Sequence, residues 1–84
     1  MQVKNGERKN FLQQEKTRMI VYDRLWKTME EKGITKYYLI AKCGISPSLI
    51  TRLKRNQSVR MDTINILCNI LDCQIEDIAE HIKD

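Results

Sequence analysis

One proline, three glycines, one histidine and one tryptophan are spread over 84 residues, and no long apolar run occurs. Each scarcity removes a class of function. Three glycines are too few for a phosphate-cradling loop, and neither a GxGxxG nor a P-loop pattern is present. His81 stands alone in an acidic stretch, and Cys43, Cys68 and Cys73 lie far apart with no CxxC pair, so no metal and no cofactor are expected. The odd cysteine count instead reads as thiols in a reducing compartment, with Cys43 and Cys68 as small buried hydrophobes and Cys73 at a partly exposed helix junction. No nucleophile–base arrangement is visible, which makes enzyme the weakest class. No apolar stretch approaches the ~20 residues of a membrane helix. The polar N-terminus, MQVKNGERKNFLQQEKTR, lacks the apolar centre of a secretory signal. A cytoplasmic chain without a membrane partner is the expectation.

Length and composition allow one small domain. An apolar content of 42% supports a modest core, and an aromatic content of 6% suits helices better than a β-sandwich. Net charge is +4, but its distribution carries more information than its size. Residues 36–60 hold Lys36, Lys42, Arg52, Lys54, Arg55 and Arg60 and no Asp or Glu. Residues 61–84 reverse this, with Asp62, Asp72, Glu76, Asp77, Glu80 and Asp84 against Lys83 alone. Such polarity gives one face a positive potential that a polyanion would feel.

The acid-free stretch also has the plainest local grammar. Leu39, Ile40 and Cys43 share one side of a short helix, Gly44 turns the chain, and Ile45 points inward. Ser46-Pro47 then opens a second helix carrying Ile50 and Leu53. A serine cap accepts an orphan backbone N–H, and proline at the first helical position has no N–H to leave unsatisfied. Helix, glycine turn and helix within some twenty residues is the helix-turn-helix pattern.

With Leu39, Ile40, Gly44, Ile45, Ile50 and Leu53 at this spacing, the chain resembles the lambda-repressor-like (Cro/Xre) DNA-binding domains. The resemblance extends through Asp62-Thr63-Ile64, Leu67, Leu71 and Ile75–Ile78, and backwards to Leu25 and Met29, covering about residues 20–82. One position departs from it. The family carries a small residue, often Ala, where this chain has Ile40, and a slightly rotated helix would bring Ala41 to the crossing instead.

The remaining elements follow from periodicity. Val21, Leu25 and Met29 recur every four residues and predict a first helix from about Ile20 to Lys32, flanked by Trp26 and ended by Gly33. Thr35 caps the next helix, whose first turn carries Lys36 and Tyr37; at least one of the adjacent Tyr37 and Tyr38 is exposed. Asn56 follows the Ser-Pro-initiated helix, about Pro47 to Arg55, where the family often has Gly, and Asn tolerates a left-handed backbone. A fourth helix is predicted from Met61 to Leu71, and a fifth from Ile75 to Lys83 with Ile75, Ile78, Ala79 and Ile82 inward. No strand signal stands out. The expected fold is therefore all-α, a compact five-helix lambda-repressor-like domain over residues 19–84, preceded by a basic N-terminal tail at 1–18, flexible or partly helical. That tail is either an arm along DNA or a partner, or a loose solubilising extension.

The resemblance implies a mechanism. Pro47, Ser48, Thr51 and Arg52 would face base edges in the major groove, with Arg52 as principal reader through a two-hydrogen-bond fork to guanine, or else as a phosphate contact. Lys36, Lys54, Arg55, Asn56 and Arg60 would hold phosphates, aided by the N-terminus of the helix beginning at Lys36. The expected partner is double-stranded DNA, read by a homodimer on a two-fold operator. Ile78 and Ile82 either form the dimer contact or close the core. A small repressor acting by occupancy, with no appended sensing domain, is the leading expectation. The alternatives are an antitoxin or adaptor-type module that meets a protein partner through the fifth helix or the tail, and a structural DNA-binding component of a larger assembly.

Overall fold

The computed structural model describes residues 19–83. In chain order the elements are β1 (Met19–Val21), α1 (Asp23–Lys32), α2 (Lys36–Cys43), α3 (Pro47–Lys54), α4 (Met61–Leu71), a 3₁₀ turn (Ile75–Asp77) and β2 (Glu80–Ile82). The fold is mostly helical, but the described residues form four α-helices rather than five, and they include a two-stranded antiparallel sheet.

Both corrections have one cause. β1 and β2 pair in the register Met19 with Ile82, Ile20 with His81, and Val21 with Glu80. The sequence predicts a first helix that opens at about Ile20 and a fifth helix over 75–83. Each segment is drawn out by the other, a contact some sixty positions apart that no local period reports. The carbonyls that a continuing helix would use internally are also taken. Thr28 Oγ1 donates to the Asp77 carbonyl at 2.7 Å, and Arg24 Nη1 donates to the Glu76 carbonyl at 2.9 Å. Arg24 Nη2 then reaches Glu80 Oε1 at 2.7 Å, joining the start of α1 to β2.

The core gathers Tyr22, Leu25, Met29, Leu39, Ile45, Ile50, Leu53, Ile64, Leu67, Leu71 and Ile78. Leu25, Leu39, Leu53, Leu67 and Ile78 are fully buried. Each such side chain contributes about 1.5–3 kcal/mol of transfer free energy relative to exposure. The four-residue stripe of Val21, Leu25 and Met29 is buried as predicted, although Val21 reaches the interior from a strand. Ile78 is a core residue and is therefore unavailable as a dimer contact; Ile82, in β2, is half-buried. Cys43 and Cys68 were expected to be buried, but they and Cys73 are free and only half-buried.

Helix ends follow their residue types. Gly33 and Gly44 stand at φ 69° and 76°, and each ends its helix in the left-handed conformation. A Cβ at Gly44 would touch nothing within 4 Å, so the requirement there is torsional, not steric. Ile40 is half-buried while Ala41 is exposed. The α2 helix is thus not rotated to put Ala41 at the crossing; Leu39 is the side chain it buries fully.

Candidate nucleic-acid interface

α3 is positioned by its first two residues and its inner edge. Ser46 Oγ accepts the Leu49 N–H at 3.2 Å, and Pro47 occupies the first turn. Ile50 and Leu53 anchor the helix to the core, while Pro47, Ser48, Thr51, Arg52, Lys54 and Arg55 are exposed. At helical spacing, Ser48, Thr51 and Arg55 run along the middle of the outward side, with Pro47 and Arg52 flanking them. The Ser48 hydroxyl lies 3.2 Å from that of Ser46, and the Thr51 hydroxyl donates back to the Pro47 carbonyl at 3.2 Å. All four residues expected at base edges therefore lie on one accessible surface.

Arg52 has a distinct position among them. Its Nε and Nη2 both donate to the Ser58 carbonyl, at 3.2 and 2.8 Å. The sequence reading turned this guanidinium toward a base; in the structure it is turned along the helix to the following loop. That loop is tied at two further points. Asn56 takes the left-handed backbone, φ 56°, and its Oδ1 accepts the Tyr22 N–H at 3.0 Å. The Tyr22 hydroxyl donates to the Gln57 carbonyl at 3.1 Å. Burial pushes the Tyr22 phenol above its ordinary range, and the nearby Arg52 charge partly opposes that.

The expected phosphate contacts surround α3. Lys54 and Arg55 are exposed at its C-terminal end, and Asn56 follows, half-buried by its bond to Tyr22. Arg60 is exposed but paired with Asp62 at 2.9 Å, an ion pair whose side chains are 83% and 77% exposed and so contribute little. Lys36 begins α2, where Thr35 Oγ1 caps the Tyr38 N–H at 3.0 Å. Its Nζ sits 4.9 Å over the Trp26 ring, a cation–π contact that holds the charge beside the start of the helix. Lys42, in the last turn of α2, is exposed as well. Across α2, α3 and the loop to Arg60 there is no acidic side chain.

Tyr22 is the residue that sequence reasoning missed. In a helix beginning at Ile20 it would lie beside the Val21, Leu25 and Met29 stripe, with no local signal to single it out. As the link between β1 and α1 it is 3% exposed and reaches the loop after α3. Its signal lay in the short apolar run Met19–Tyr22, legible only once that run is read as a strand. Among the described residues no group of three or more His, Cys, Asp and Glu is placed to hold a metal ion, and no helix is long and apolar enough to cross a membrane.

Comparison with known proteins bears on the fold and the family. Among solved structures, the crystal structure of transcriptional regulator VanUg, Form II, superposes with a TM-score of 0.72 at 25% identity, over 84% of this chain and 95% of that one. No curated protein matches the chain. Residues 24–84 match the Cro/C1-type HTH DNA-binding domain. The match takes in both helices of the helix-turn-helix and most of the core around them, and the chain belongs to the Cro/C1-type helix-turn-helix DNA-binding family.

Proposed function

We propose that the protein is a sequence-specific regulator of transcription, a small repressor that occupies a two-fold operator as a homodimer in the cytoplasm. The observation that carries this is the outward side of α3: exposed, started by a capped Ser-Pro turn, and set in a stretch of chain with six basic residues and no acidic one. α3 enters the major groove with Pro47, Ser48 and Thr51 against base edges. Lys36, Lys54, Arg55 and Arg60, the Asn56 turn and the N-terminus of α2 fix the register through phosphates.

One unit of this size reads only a few base pairs. Two copies about one helical turn apart, ~34 Å, double the reading length without a second domain. The end of the molecule formed by α4 and β2 is the surface proposed for that contact. Selection from random duplexes with the purified chain tests the reading. Enrichment of a two-fold symmetric sequence is expected, and failure to retard any duplex at low ionic strength sinks the proposal.

A protein-interaction module built on the same fold is the second reading. An open apolar groove of about 520 Å³ favours it, lined by Ile20, Tyr22, Val59, Met61, Ile64 and Ile75. Ile20, Met61 and Ile75 there are large hydrophobic side chains left exposed. On that reading the pure chain would bind no duplex, and variants such as Met61→Asp would abolish its activity while leaving α3 untouched.

A further inference from the structure

We infer that Arg52 and Tyr22 are positioning residues for DNA binding: together they brace the loop from Asn56 to Ser58, and Arg52 acts through that loop instead of reading a base. The inference rests on the DNA-binding reading of α3 and specifies how its phosphate-holding edge is kept in place.

Three consecutive residues are secured by groups far from them in the chain or on the preceding helix. The Asn56 side chain accepts the Tyr22 N–H, the Gln57 carbonyl accepts the Tyr22 hydroxyl, and the Ser58 carbonyl accepts two N–H groups of Arg52. The Gln57 N–H meanwhile donates to the Arg52 carbonyl at 2.9 Å. Arg52 therefore holds the loop from both its backbone and its side chain, and Tyr22 holds it through its own N–H and hydroxyl. Tyr22 is buried against the core, so the bracing group is itself fixed. No helix or strand includes Gln57 to Arg60. The far end of this stretch is held by Val59 packed on the core and by the Arg60 carbonyl at the start of α4, and its near end, Asn56 to Ser58, is held by these hydrogen bonds.

The guanidinium also has a reason to stay where it is. A base-reading fork needs two N–H groups directed at guanine O6 and N7. Here Nε and Nη2, the two N–H groups on one edge, share the Ser58 oxygen, so only the outer Nη1–Nη2 edge is left for such a fork. Breaking that contact exposes a carbonyl to water at small cost, but it loosens the loop from Asn56 to Ser58 that leads to Arg60. Holding three or four backbone groups in one arrangement before binding lowers the ordering cost at binding.

The test compares Tyr22→Phe, Arg52→Gln and Arg52→Lys in the full chain. Tyr22→Phe removes only the hydroxyl and keeps the buried ring, so the fold survives it. Each of Tyr22→Phe and Arg52→Gln is expected to weaken binding to every duplex by about tenfold, the equivalent of one hydrogen bond to or from a held loop. Both should keep the wild-type preferred sequence in a random-duplex selection, and Arg52→Lys should recover part of the loss. Amide exchange at Gln57, whose N–H donates to the Arg52 carbonyl, should accelerate in the same two variants. Altered base preference at one operator position in Arg52→Gln, with Tyr22→Phe retaining the wild-type profile, would overturn the inference and return Arg52 to a base. Unchanged loop exchange in both variants would overturn it as well. If the wild-type chain itself retards no duplex, the DNA-binding reading fails, while the exchange measurement still decides whether the brace exists.

Discussion

Thr28 Oγ1 on α1 donates to the backbone carbonyl of Asp77 at 2.7 Å, across 49 residues of chain. Thr28 is the one buried polar side chain among the described residues, and its hydroxyl holds the 3₁₀ turn where a fifth helix was expected. Thr28→Val keeps the shape and removes the donor, leaving the Asp77 carbonyl short of a partner. The expected loss is about 1–2 kcal/mol, most of it the cost of an unmatched polar group in a part-buried site. Urea unfolding checks it: the midpoint should fall while the slope stays constant, since the surface exposed on unfolding is the same. A midpoint within error of wild type would show that the hydrogen bond does not hold the C-terminal segment.

Asn56 is held in a left-handed backbone, and its side chain is used at the same time. A non-glycine residue there costs roughly 1–2 kcal/mol of backbone strain, less for Asn than for most. Asn56→Gly removes the strain but also removes the acceptor for the Tyr22 N–H, so the two effects offset. Asn56→Ala loses the acceptor and keeps the strain. Asn56→Ala should therefore destabilise by about 2 kcal/mol and Asn56→Gly by less than half of that. The ordering is the decisive result in a thermal or urea comparison. Ala at or below Gly in cost would mean that the turn is not strained.

The local parts of this fold were legible in the chain, and the non-local parts were not. Ser46-Pro47, Gly33, Gly44 and Asn56 each specify their own backbone, and the structure has a capped helix start and three left-handed turns at those positions. Ile75, Ile78, Ala79 and Ile82 carry a helical period just as plainly, yet Glu80–Ile82 is a strand. Nothing within the segment signals that, because the competing hydrogen bonds come from Met19–Val21 and from Arg24 and Thr28. The same limit applies to the site. The sequence places Arg52 on the outer side of α3, but the Ser58 carbonyl that takes its guanidinium depends on how the Asn56 turn directs the loop.

Cys73 is half-buried after α4, and its thiol sits above the ordinary thiol range. Burial is the main cause; Cys68 and Asp77 add to it, and Lys32 pulls the other way. Alkylation by iodoacetamide at about pH 8 should therefore be slower in the folded chain than in urea, with the rate rising at higher pH than for a free thiol. The linkage has a definite sign. A thiol whose folded pKa is raised adds stability that is fully present below its unfolded pKa and is lost as pH rises through the folded value. Tyr22, raised by burial, acts in the same direction, so the alkaline loss has two sources. Cys73→Ala should remove part of the loss between neutral and alkaline pH, read from urea midpoints; an identical alkaline decline in the variant would assign it elsewhere.

Arg60 and Lys54 separate two kinds of basic residue on the proposed DNA face. Lys54 is exposed and makes no side-chain hydrogen bond or ion pair among the described residues. Removing it with Lys54→Ala deletes one of the proposed phosphate contacts, so the slope of log affinity against log salt should become shallower by about 0.9. Binding should weaken alike on preferred and unrelated duplexes, because a phosphate carries no base identity. Arg60 is already paired with Asp62, and on the proposed reading an anionic carboxylate 2.9 Å from this guanidinium competes with DNA phosphates for it. Asp62→Asn removes that competitor and an acidic charge near the phosphates, so affinity should rise while stability changes by no more than about 1 kcal/mol, the pair being almost fully solvated. Opposite signs for these two variants, measured on one duplex across a salt series, are what a phosphate-facing edge requires. A fall in affinity for Asp62→Asn would mean instead that the ion pair presents Arg60 in its binding geometry, and the edge would have to be drawn without a competing carboxylate.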